Sequence, residues 1–262
     1  MNIPFEKYQG TGNDFILLDQ REKKYIGHHD HDVIRRWCDR RFGIGADGLI
    51  LLEKSADYDF RMVYFNADGH EGSMCGNGGR CIVQYAHSLG IFTHDTLFDA
   101  VDGTHKGKVA ADGLVSIEMI DVSSVNELGS DTYVLNTGSP HYVTFVHEFP
   151  ADIKKAGQDI RYSPAFAATG INVNFVKKTA LGLEIATYER GVEDETYSCG
   201  TGVTATAICE AYRERSEGMN DIKIVTKGGM LHISLRQIKK GYFEHIWLTG
   251  PAEKVYDGMI QR

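Results

Sequence analysis

The feature that most constrains this chain is the motif Cys-Gly-x-Gly, which occurs twice, as CGNG at 75–78 and as CGTG at 199–202. Before the first copy, FRMVYF (60–65) is rich in β-branched and aromatic residues, and LEIATYE (183–189), before the second copy, is strand-like as well. Apolar residues recur at helical spacing after each copy. Two strand–loop–cysteine–helix segments of similar length predict a duplicated architecture of the mixed α and β class.

The helices after the two motifs are predicted from their apolar positions. In the helix after CGNG these positions are Cys81, Ile82, Tyr85, Ala86 and Leu89, and Gly90 is predicted to end the helix. In the helix after CGTG they are Val203, Ala207, Ile208 and Ala211. An earlier helix is predicted at 30–41, with Asp30 or Asp32 as its N-cap. The polar stretch DVSSVNELGS (121–130) predicts a crossover between two domains near residue 121.

The composition excludes several classes of protein. The chain has 262 residues, 42% hydrophobic and 24% charged, so it can form one large or two ordinary domains with buried cores. Its formal net charge of -8, from 36 acidic and 28 basic side chains, argues against a nucleic-acid partner. No apolar run is long enough to span a membrane, and the start MNIPFEKYQG lacks the pattern of a signal peptide, so we expect a cytoplasmic protein.

The five cysteines do not follow a pattern typical of disulfides or metal sites. An odd number without an export signal argues against a disulfide framework, and the sequence has no CxxC pair for zinc or for a thioredoxin-like site. We therefore expect Cys38, Cys81 and Cys209 to be small buried residues and expect no metal. Cys75 and Cys199 differ from them because each begins a copy of the motif.

A cysteine at the start of a helix has particular chemistry. The unpaired backbone N–H groups and the positive end of the helix dipole both favour the thiolate form of the side chain. The same N–H groups bind anions such as carboxylates, and glycine lets the backbone approach a ligand closely. Each motif is therefore predicted to supply a reactive thiol beside a carboxylate-binding loop.

Two such motifs facing each other would place one thiol on either side of a bound carboxylate compound. One thiolate could remove a proton from one face of a carbon while the opposite thiol returns a proton to the other face, which inverts the centre. The helix N-termini would stabilise the intermediate carbanion. On the residues alone, two other interpretations stay open: glycine-rich helix starts with incidental cysteines, and a phosphate-binding loop, although the pattern GxxxxGK[ST] is absent from both copies.

Segments spread over nearly the whole chain carry a resemblance to a known family. They are GTGNDFILLD (10–19), GIGADGLILL (43–52), FNADGHEGSMCGNGGRC (65–81), NTGSPHYV (136–143), INVNFV (171–176), YERGVEDETYSCGTGVTATA (188–207) and LTGPAEKVYDG (248–258). In these segments the chain resembles the diaminopimelate epimerase family. The resemblance implies an isomerase that interconverts L,L-2,6-diaminopimelate and its meso form by thiolate/thiol proton transfer at the α-carbon. It implies no cofactor and a place in lysine and peptidoglycan precursor biosynthesis.

The same resemblance implies a fold of two pseudo-symmetric domains. Each is a curved mixed β-sheet or barrel around a central helix, and the active site lies in the cleft between them. Because GPAEKVYDG matches a segment that returns to the first domain, we expect an N-terminal epimerase domain at 1–120 plus 249–262 and a C-terminal one at 121–248. The expected partner is a small amino-acid substrate with two carboxylates. Members of the family are often homodimers, although no interface is readable in this sequence.

The resemblance implies Cys75 and Cys199 as the acid–base pair. The reacting carboxylate would lie on backbone amides at the start of the two helices, at Gly76, Asn77, Gly200 and Thr201.

Further residues are implied to bind the substrate through their side chains. Asn13, Asn66 and Asn172 are implied to hydrogen-bond the substrate. Arg190 is implied to bind the distal carboxylate through two parallel hydrogen bonds. Glu189 and His141 are implied to be polar auxiliaries near the reacting amino group. On the residues alone, Asn13 and Asn66 are more typical of turn residues and Arg190 of a solvated charge, and His141 could be an ordinary surface histidine.

Three features depart from the family pattern. Many members have Asn where this chain has Ser139, whose shorter hydroxyl reaches less far. Some members carry Gln at the position of Gly48, which has no side chain. The loop between ERG and CGTG is longer by a single residue and places additional acid near the second thiol, at Glu193, Asp194 and Glu195. These changes concern the distal part of the substrate site.

Other functions fit part of the pattern. A proline or hydroxyproline racemase-type epimerase shares the fold, but such relatives typically carry His where this chain has Asn77, and they lack an arginine equivalent to Arg190. A phenazine-biosynthesis isomerase of the same fold lacks the thiol pair. A thiol redox protein could use one reactive and one resolving cysteine. A non-catalytic amino-acid-binding module gives no reason for two thiols.

Overall fold

Strands and helices alternate along residues 1–72 and 74–262, the part of the chain that the computed structural model describes. These residues divide into two units, Met1–Ile117 with Gly250–Arg262 (the first unit) and Glu118–Thr249 (the second unit). The domain boundaries expected from the sequence, 1–120 plus 249–262 and 121–248, stay a prediction. No helix within the described ranges is both long and apolar enough to cross a membrane.

The strands and helices are numbered in chain order. The strands are β1 (Asn2–Gly10), β2 (Asn13–Asp19), β3 (Gly48–Glu53), β4 (Phe60–Asn66), β5 (Asp95–Ala100), β6 (Gly103–Val109), β7 (Val115–Glu118), β8 (Asn126–Gly129), β9 (Thr132–Asn136), β10 (Pro140–Phe145), β11 (Asn172–Thr179), β12 (Gly182–Glu189), β13 (Asp194–Thr196), β14 (Gly218–Thr226), β15 (Gly229–Lys239), β16 (Tyr242–Gly250) and β17 (Glu253–Gln261). The helices are α1 (His31–Cys38), α2 (Gly76–Ser88), α3 (Ile153–Arg161) and α4 (Gly200–Glu214).

In the first unit the paired strands follow the order β17–β1–β2–β3–β4–β5–β6–β7. Neighbours are antiparallel except for β2–β3 and β4–β5, which are parallel. Strand β17 comes from the end of the chain and pairs with β1 from Asn2↔Gln261 to Gln9↔Glu253. The C-terminal segment therefore completes the sheet that the N-terminal strand begins.

The second unit repeats this topology with the order β8–β9–β10–β11–β12–β14–β15–β16. The parallel pairs occupy the same places, β10–β11 and β12–β14, and β13 is an additional short strand against β12. In each unit one helix (α1 or α3) connects the first parallel pair and another (α2 or α4) connects the second. The mixed α and β class and the duplicated architecture predicted from the two motifs are confirmed.

Helices α2 and α4 are the central helices of their units. Nearly every residue of α2 from Gly76 to Ala86 is buried, and so is α4 up to Ala211. Helix α2 packs against β1, β2 and β6, whereas α4 packs against β15, β10 and β11. Because the first turns of both helices are enclosed, their polar groups need partners within the protein.

The local predictions are confirmed for the elements beside the motifs, with one correction. Strands β4 and β12 contain the predicted 60–65 and 183–189, and Gly90 follows α2 with a φ of 70°. The helix predicted at 30–41 is wrong at its end, because α1 stops at Cys38. Asp39 is extended, and its carboxylate accepts the backbone N–H groups of Arg41 and Phe42 in a turn.

The prediction of an N-cap at Asp30 is correct in position only. Asp30 precedes α1 but makes no side-chain cap bond, because its carboxylate accepts the Gly27 N–H and pairs with Arg262. The alternative, Asp32, lies within the first turn.

Candidate functional site

In the first unit, Cys75 is the N-cap of α2. Its backbone is extended, with φ of -109° and ψ of 148°, and its sulfur accepts the Gly78 N–H at 3.2 Å. The cysteine thus does for α2 what a Ser or Asp does at other helix starts, and it satisfies an N–H group of the enclosed first turn. A hydrogen bond donated to sulfur also favours the thiolate over the thiol.

In the second unit, Cys199 is the N-cap of α4 and is 8% exposed. Its sulfur does not accept a backbone cap bond, and it lies 3.4 Å from the hydroxyl oxygen of Thr201 instead. The two motifs therefore form the same local structure, a cysteine N-cap on a central helix, but the group that faces the sulfur differs.

The second glycine of each motif allows a close approach. A Cβ added to Gly78 would lie 3.2 Å from the sulfur of Cys75, and one added to Gly202 would lie 2.5 Å from Oδ1 of Asn174. Any side chain at Gly202 would therefore displace the buried amide of Asn174. The glycines are explained by what packs against them as well as by backbone freedom.

Asn13 and Asn77 lie together near the start of α2. The Asn77 amide nitrogen donates to Oδ1 of Asn13 at 3.4 Å, and the Asn13 amide nitrogen donates to Asp47 at 2.7 Å. Asn77 is almost fully buried, whereas Asn13 is half-buried at the start of β2. The orientation of the Asn13 amide is thereby fixed by protein groups.

Asn66 is exposed at the end of β4, close to Gly72. A Cβ added to Gly72 would lie 2.9 Å from the Asn66 amide nitrogen.

Asp47 belongs to a cluster of ion pairs that supports Asn13. Arg40 donates to both Asp14 and Asp47 at 2.7 Å, and Lys7 donates to Asp14 at the same distance. Burial alone raises the pKa of Asp14, but hydrogen bonds from Arg40 and Lys7 outweigh it and lower the pKa to about 2. Asp14 is therefore ionised at neutral pH, and the cluster holds the β1–β2 turn in place.

Arg80 is a fully buried cation behind the first motif. Its guanidinium donates to the Gly76 carbonyl, Asn77 Oδ1 and Thr11 Oγ1, and also to the carbonyl of Pro251 in the returning C-terminal segment. Burial lowers its pKa to about 10, while the Cys81 and Cys75 thiols act in the opposite direction. It is therefore protonated at neutral pH and lies close enough to Cys75 to favour a thiolate there.

A chain of side chains leads away from Cys199 into the core of the second unit. Thr201 Oγ1 lies 3.2 Å from Ser139 Oγ, which lies 2.9 Å from Nε2 of His141. The Asn174 amide nitrogen lies 3.1 Å from the other ring nitrogen, Nδ1. We refer to Asn174, His141, Ser139, Thr201 and Cys199 as the Cys199 chain.

His141 is fully buried, and both of its ring nitrogens contact protein groups. Burial and, to a lesser extent, the positive charge of Arg190 lower its pKa to about 3. The imidazole is therefore neutral at physiological pH. The auxiliary role near the reacting amino group stays a prediction, and the geometry places this ring behind Ser139.

Arg190 is exposed and follows β12, beside a fixed asparagine. Asn172 Oδ1 accepts the Arg190 backbone N–H at 2.9 Å, and the Asn172 amide nitrogen donates to Ser139 and to the Pro140 carbonyl. One guanidinium nitrogen of Arg190 donates to the Thr169 carbonyl at 3.0 Å. Glu189, half-buried, is the last residue of β12 and pairs in register with Asp194.

The acids of the loop before Cys199 are engaged within the loop and its surroundings. Glu193 accepts the hydroxyls of Tyr162 and Tyr188 at 3.0 and 2.7 Å. Asp194 pairs with Lys154 at 2.6 Å, and Glu195 pairs with Lys227 at 3.1 Å. These contacts order the segment that carries Arg190.

The other cysteines are buried, as predicted. Burial raises the pKa of Cys38 to about 12 and raises the pKa values of Cys81 and Cys209 as well. These thiols stay protonated at neutral pH. Only the motif cysteines combine a helix N-cap position with a hydrogen-bond contact at the sulfur, among the residues that the structure describes: the Gly78 N–H donates to Cys75, and the Thr201 hydroxyl contacts Cys199.

Gly48 is explained by an aromatic neighbour. A Cβ there would lie 2.5 Å from Cε2 of Tyr64 and 2.6 Å from the carbonyl oxygen of Phe65. The Tyr64 ring thus occupies the space beside β3 that a longer side chain would need.

Sequence reasoning missed Arg80 and Asn174. Arg80 lies next to Cys81, which the sequence predicted to be buried on the helix after CGNG, and this position was a signal that the arginine is buried as well. Asn174 lies two residues from Asn172 on β11, and the period of a strand puts both on one face. Ser139 was recognised only as a departure from the family pattern.

The pKa of His141 predicts how stability depends on pH. Because the folded protein keeps this ring neutral down to about pH 3, the unfolded chain takes up its proton first, from about pH 6.5 downward. Relative to His141→Gln, the parent protein should lose about 1.4 kcal/mol of unfolding free energy per pH unit between pH 6.5 and 4.5. Urea unfolding at several pH values measures this slope. His147→Gln, at an exposed histidine, is the control and should follow the parent; equal slopes for the parent and His141→Gln would contradict the prediction.

Comparison with known sequences places the whole chain in one family. A sequence model of the family named diaminopimelate epimerase matches residues 5–125 and 133–255. The diaminopimelate epimerase of Flavobacterium psychrophilum is 48% identical over 257 residues, covering 97% of this chain and 98% of that protein. The diaminopimelate epimerase of Chlorobaculum tepidum is 40% identical over 260 residues, covering 96% and 98%.

Solved structures share the fold at low sequence identity. A phenazine biosynthesis protein of the PhzF family from Bacillus anthracis superposes with a TM-score of 0.78 at 11% identity, covering all of both chains. A hydroxyproline epimerase from Agrobacterium vitis gives a TM-score of 0.71 at 14% identity, covering 99% of this chain and 92% of that one. Identities this low show the fold alone, and the function must be argued from the sequence family and the site. On the family match and on relatives of this identity and coverage, the chain belongs to the diaminopimelate epimerase family.

Proposed function

We propose that this protein interconverts L,L-2,6-diaminopimelate and meso-diaminopimelate by two-base proton transfer at the α-carbon. Membership of the diaminopimelate epimerase family supports the substrate. The observation that carries the mechanism is that Cys75 and Cys199 each occupy the N-cap of a buried central helix, with a polar group in contact with the sulfur. The other three thiols are buried in the cores and stay protonated.

The proposed reaction moves one proton at each face of the α-carbon. The thiolate of one cysteine forms an S–H bond as the Cα–H bond breaks, and the electron pair stays on the α-carbon and its carboxylate. The thiol of the other cysteine then gives its proton to the opposite face and becomes the thiolate. The configuration is inverted, and the enzyme is left with the two protonation states exchanged, ready for the reverse direction. The mechanism requires both sulfurs to reach one α-carbon.

The carbanion needs stabilisation of the charge that moves onto its carboxylate. We assign this role to the backbone amides at the start of α2 (Gly76 and Asn77) and at the start of α4 (Gly200 and Thr201). Donors at a helix N-terminus carry the positive end of the dipole and are already oriented, so little reorganisation accompanies the reaction.

The distal end of the substrate is assigned to Arg190. Its backbone is held by Asn172 and one of its guanidinium nitrogens by the Thr169 carbonyl, so the side chain is oriented before substrate binds. A planar guanidinium pairs with a carboxylate through two parallel hydrogen bonds. Asn13, Asn66, Asn172 and Glu189 are proposed as further polar contacts, with Glu189 near the reacting amino group.

Deuterium incorporation tests the proposal. The reduced parent protein, incubated with L,L-diaminopimelate in D₂O without added cofactor, should exchange the α-proton with inversion, which NMR follows. Cys75→Ala and Cys199→Ala should each lose inversion by about a thousandfold, because each removes one of the two acid–base groups. Cys38→Ala, at a buried cysteine outside the site, is the matched control and should keep the parent rate.

The outcomes separate the candidate functions. Inversion that persists in the Cys75→Ala/Cys199→Ala double variant would sink the proposal. Exchange with proline but not with diaminopimelate would select a proline racemase-type activity. Rapid peroxide consumption without either exchange would select a thiol redox function.

Arg190 provides a test of the substrate class. Arg190→Lys keeps the charge but cannot form two parallel hydrogen bonds, so we expect KM for diaminopimelate to rise about tenfold with a smaller change in kcat. Steady-state kinetics measures both constants. Arg236→Lys, at an exposed arginine of β15 in the same unit, is the control. An unchanged KM in Arg190→Lys would remove this residue from the substrate site.

We extend the proposal to location and assembly: a cytoplasmic homodimer. A reducing compartment suits an enzyme whose five cysteines are all thiols rather than disulfides. Strand β17 exposes Val255, Tyr256 and Met259 and offers an apolar surface to a second copy. Light scattering on the full chain should give about twice the protomer mass of 29.2 kDa. A mass equal to one protomer at micromolar concentration would contradict the dimer.

A further inference from the structure

The Cys199 chain has a direction that its surroundings fix. The Tyr142 carbonyl can only accept, so the group of Asn174 that lies 2.9 Å from it is the amide nitrogen. Asn174 Oδ1 then faces Thr187, whose hydroxyl donates to it at 3.0 Å. The second hydrogen of the same amide nitrogen points at Nδ1 of His141. Nδ1 must therefore be the acceptor nitrogen of the ring.

The tautomer of His141 follows from this contact. A neutral imidazole carries one hydrogen, and since Nδ1 accepts, that hydrogen is on Nε2. Nε2 lies 2.9 Å from Ser139 Oγ and therefore donates to it. The ring stays neutral because it is fully buried, so the direction of this hydrogen bond does not change across the physiological pH range.

Ser139 receives a second donor and passes its own hydrogen on. The Asn172 amide nitrogen lies 3.1 Å from Ser139 Oγ, and its orientation is fixed because Asn172 Oδ1 accepts the Arg190 backbone N–H. With both lone pairs of the hydroxyl occupied, its hydrogen is left for Thr201 Oγ1 at 3.2 Å. Thr201 then has its own hydrogen for the Cys199 sulfur, 3.4 Å away.

We propose that Ser139, His141 and Asn174 are positioning residues that direct the Thr201 hydroxyl hydrogen at the Cys199 sulfur. A donor held in this direction favours the thiolate of Cys199, which is the form that removes a proton. The inference deepens the proposed function, on which it rests for the catalytic use of Cys199. The direction of the chain itself follows from the contacts alone.

The two sulfurs therefore depend on different parts of the protein. Cys75 receives a hydrogen bond from the backbone N–H of Gly78, which no side-chain substitution removes directly. Cys199 depends on a hydroxyl, whose hydrogen can rotate unless neighbours hold it. Substitutions in the Cys199 chain should thus change the reactivity of one thiol and leave the other as an internal reference.

Site-resolved alkylation tests the proposal. The reduced full chain is treated with iodoacetamide over a range of pH, and mass spectrometry follows Cys75 and Cys199 separately. Thr201→Val, which replaces the hydroxyl by a methyl group of similar size, should slow Cys199 at neutral pH about tenfold. Ser139→Ala should slow it about threefold, because the Thr201 hydroxyl is then free to rotate. Both pH profiles should move to higher pH, while Cys75 stays within about twofold of the parent.

Conservative variants separate hydrogen bonding from packing. Thr201→Ser and Ser139→Thr keep the hydroxyls and should restore the parent rate at Cys199. Thr132→Ala is the matched control, because it removes a hydroxyl contact with Thr144 in the same unit, away from the Cys199 chain. Equal Cys199 rates in the parent and in Thr201→Val, or equal slowing of Cys75 and Cys199, would overturn the proposal.

A second measurement uses the parent protein alone and therefore does not depend on whether a variant folds. Nitrogen NMR of the parent protein should show the neutral Nε2–H tautomer of His141 from pH 5 to pH 9, and an Nδ1–H tautomer would overturn the proposed direction. Neither experiment uses diaminopimelate, so a failure of the proposed reaction would appear only in the deuterium assay. A failure of this inference would appear only in the alkylation and NMR data.

Discussion

The rest of the structure depends on enclosing the first turn of a helix within a sheet. The first N–H groups of a helix have no partner inside the helix, and burial removes the water that would otherwise satisfy them. In the first unit the sulfur of Cys75 accepts one of these hydrogens. The same strand order places α4 and Cys199 in the equivalent position in the second unit. A thiol at such a point completes the helix and is also held in an environment that favours its ionised form.

Much of this could be predicted from the sequence because it is local. The strand patterns at 60–65 and 183–189 and the glycines after each cysteine act over a few residues, and they located both N-caps. The Cys199 chain could not be predicted, because it exists only once β10 pairs with β11. That pairing brings His141 opposite Asn172 and Val143 opposite Asn174. The predicted end of α1 was wrong for a different, local reason. The side-chain hydrogen bonds of Asp39 form a turn there, and that turn outweighs the helical propensity of the following residues.

Arg80 shows what holds the first unit together around its helix. Its hydrogen bonds join the start of α2 to Thr11 in the β1–β2 turn and to Pro251 in the returning segment. Within residues 1–72 and 74–262, the acceptors of the Arg80 guanidinium are neutral oxygens, so these groups solvate the charge without a carboxylate partner. Such an arrangement costs desolvation free energy, which the lowered pKa of about 10 reflects. In return for this cost, Arg80 holds the start of α2, and with it Cys75, against the β1–β2 turn and the returning segment.

The two units therefore differ in the group that contacts the motif cysteine. Topology, helix enclosure and the cysteine N-cap are common to both units, but the first thiol faces a backbone N–H and the second faces a hydroxyl. A backbone donor is fixed by the helix, whereas a hydroxyl takes its direction from its neighbours. Ser139 is the neighbour whose hydroxyl lies beside that of Thr201. A substitution at Ser139 is therefore expected to act on Cys199 and to leave the helix start that presents Cys75 unchanged.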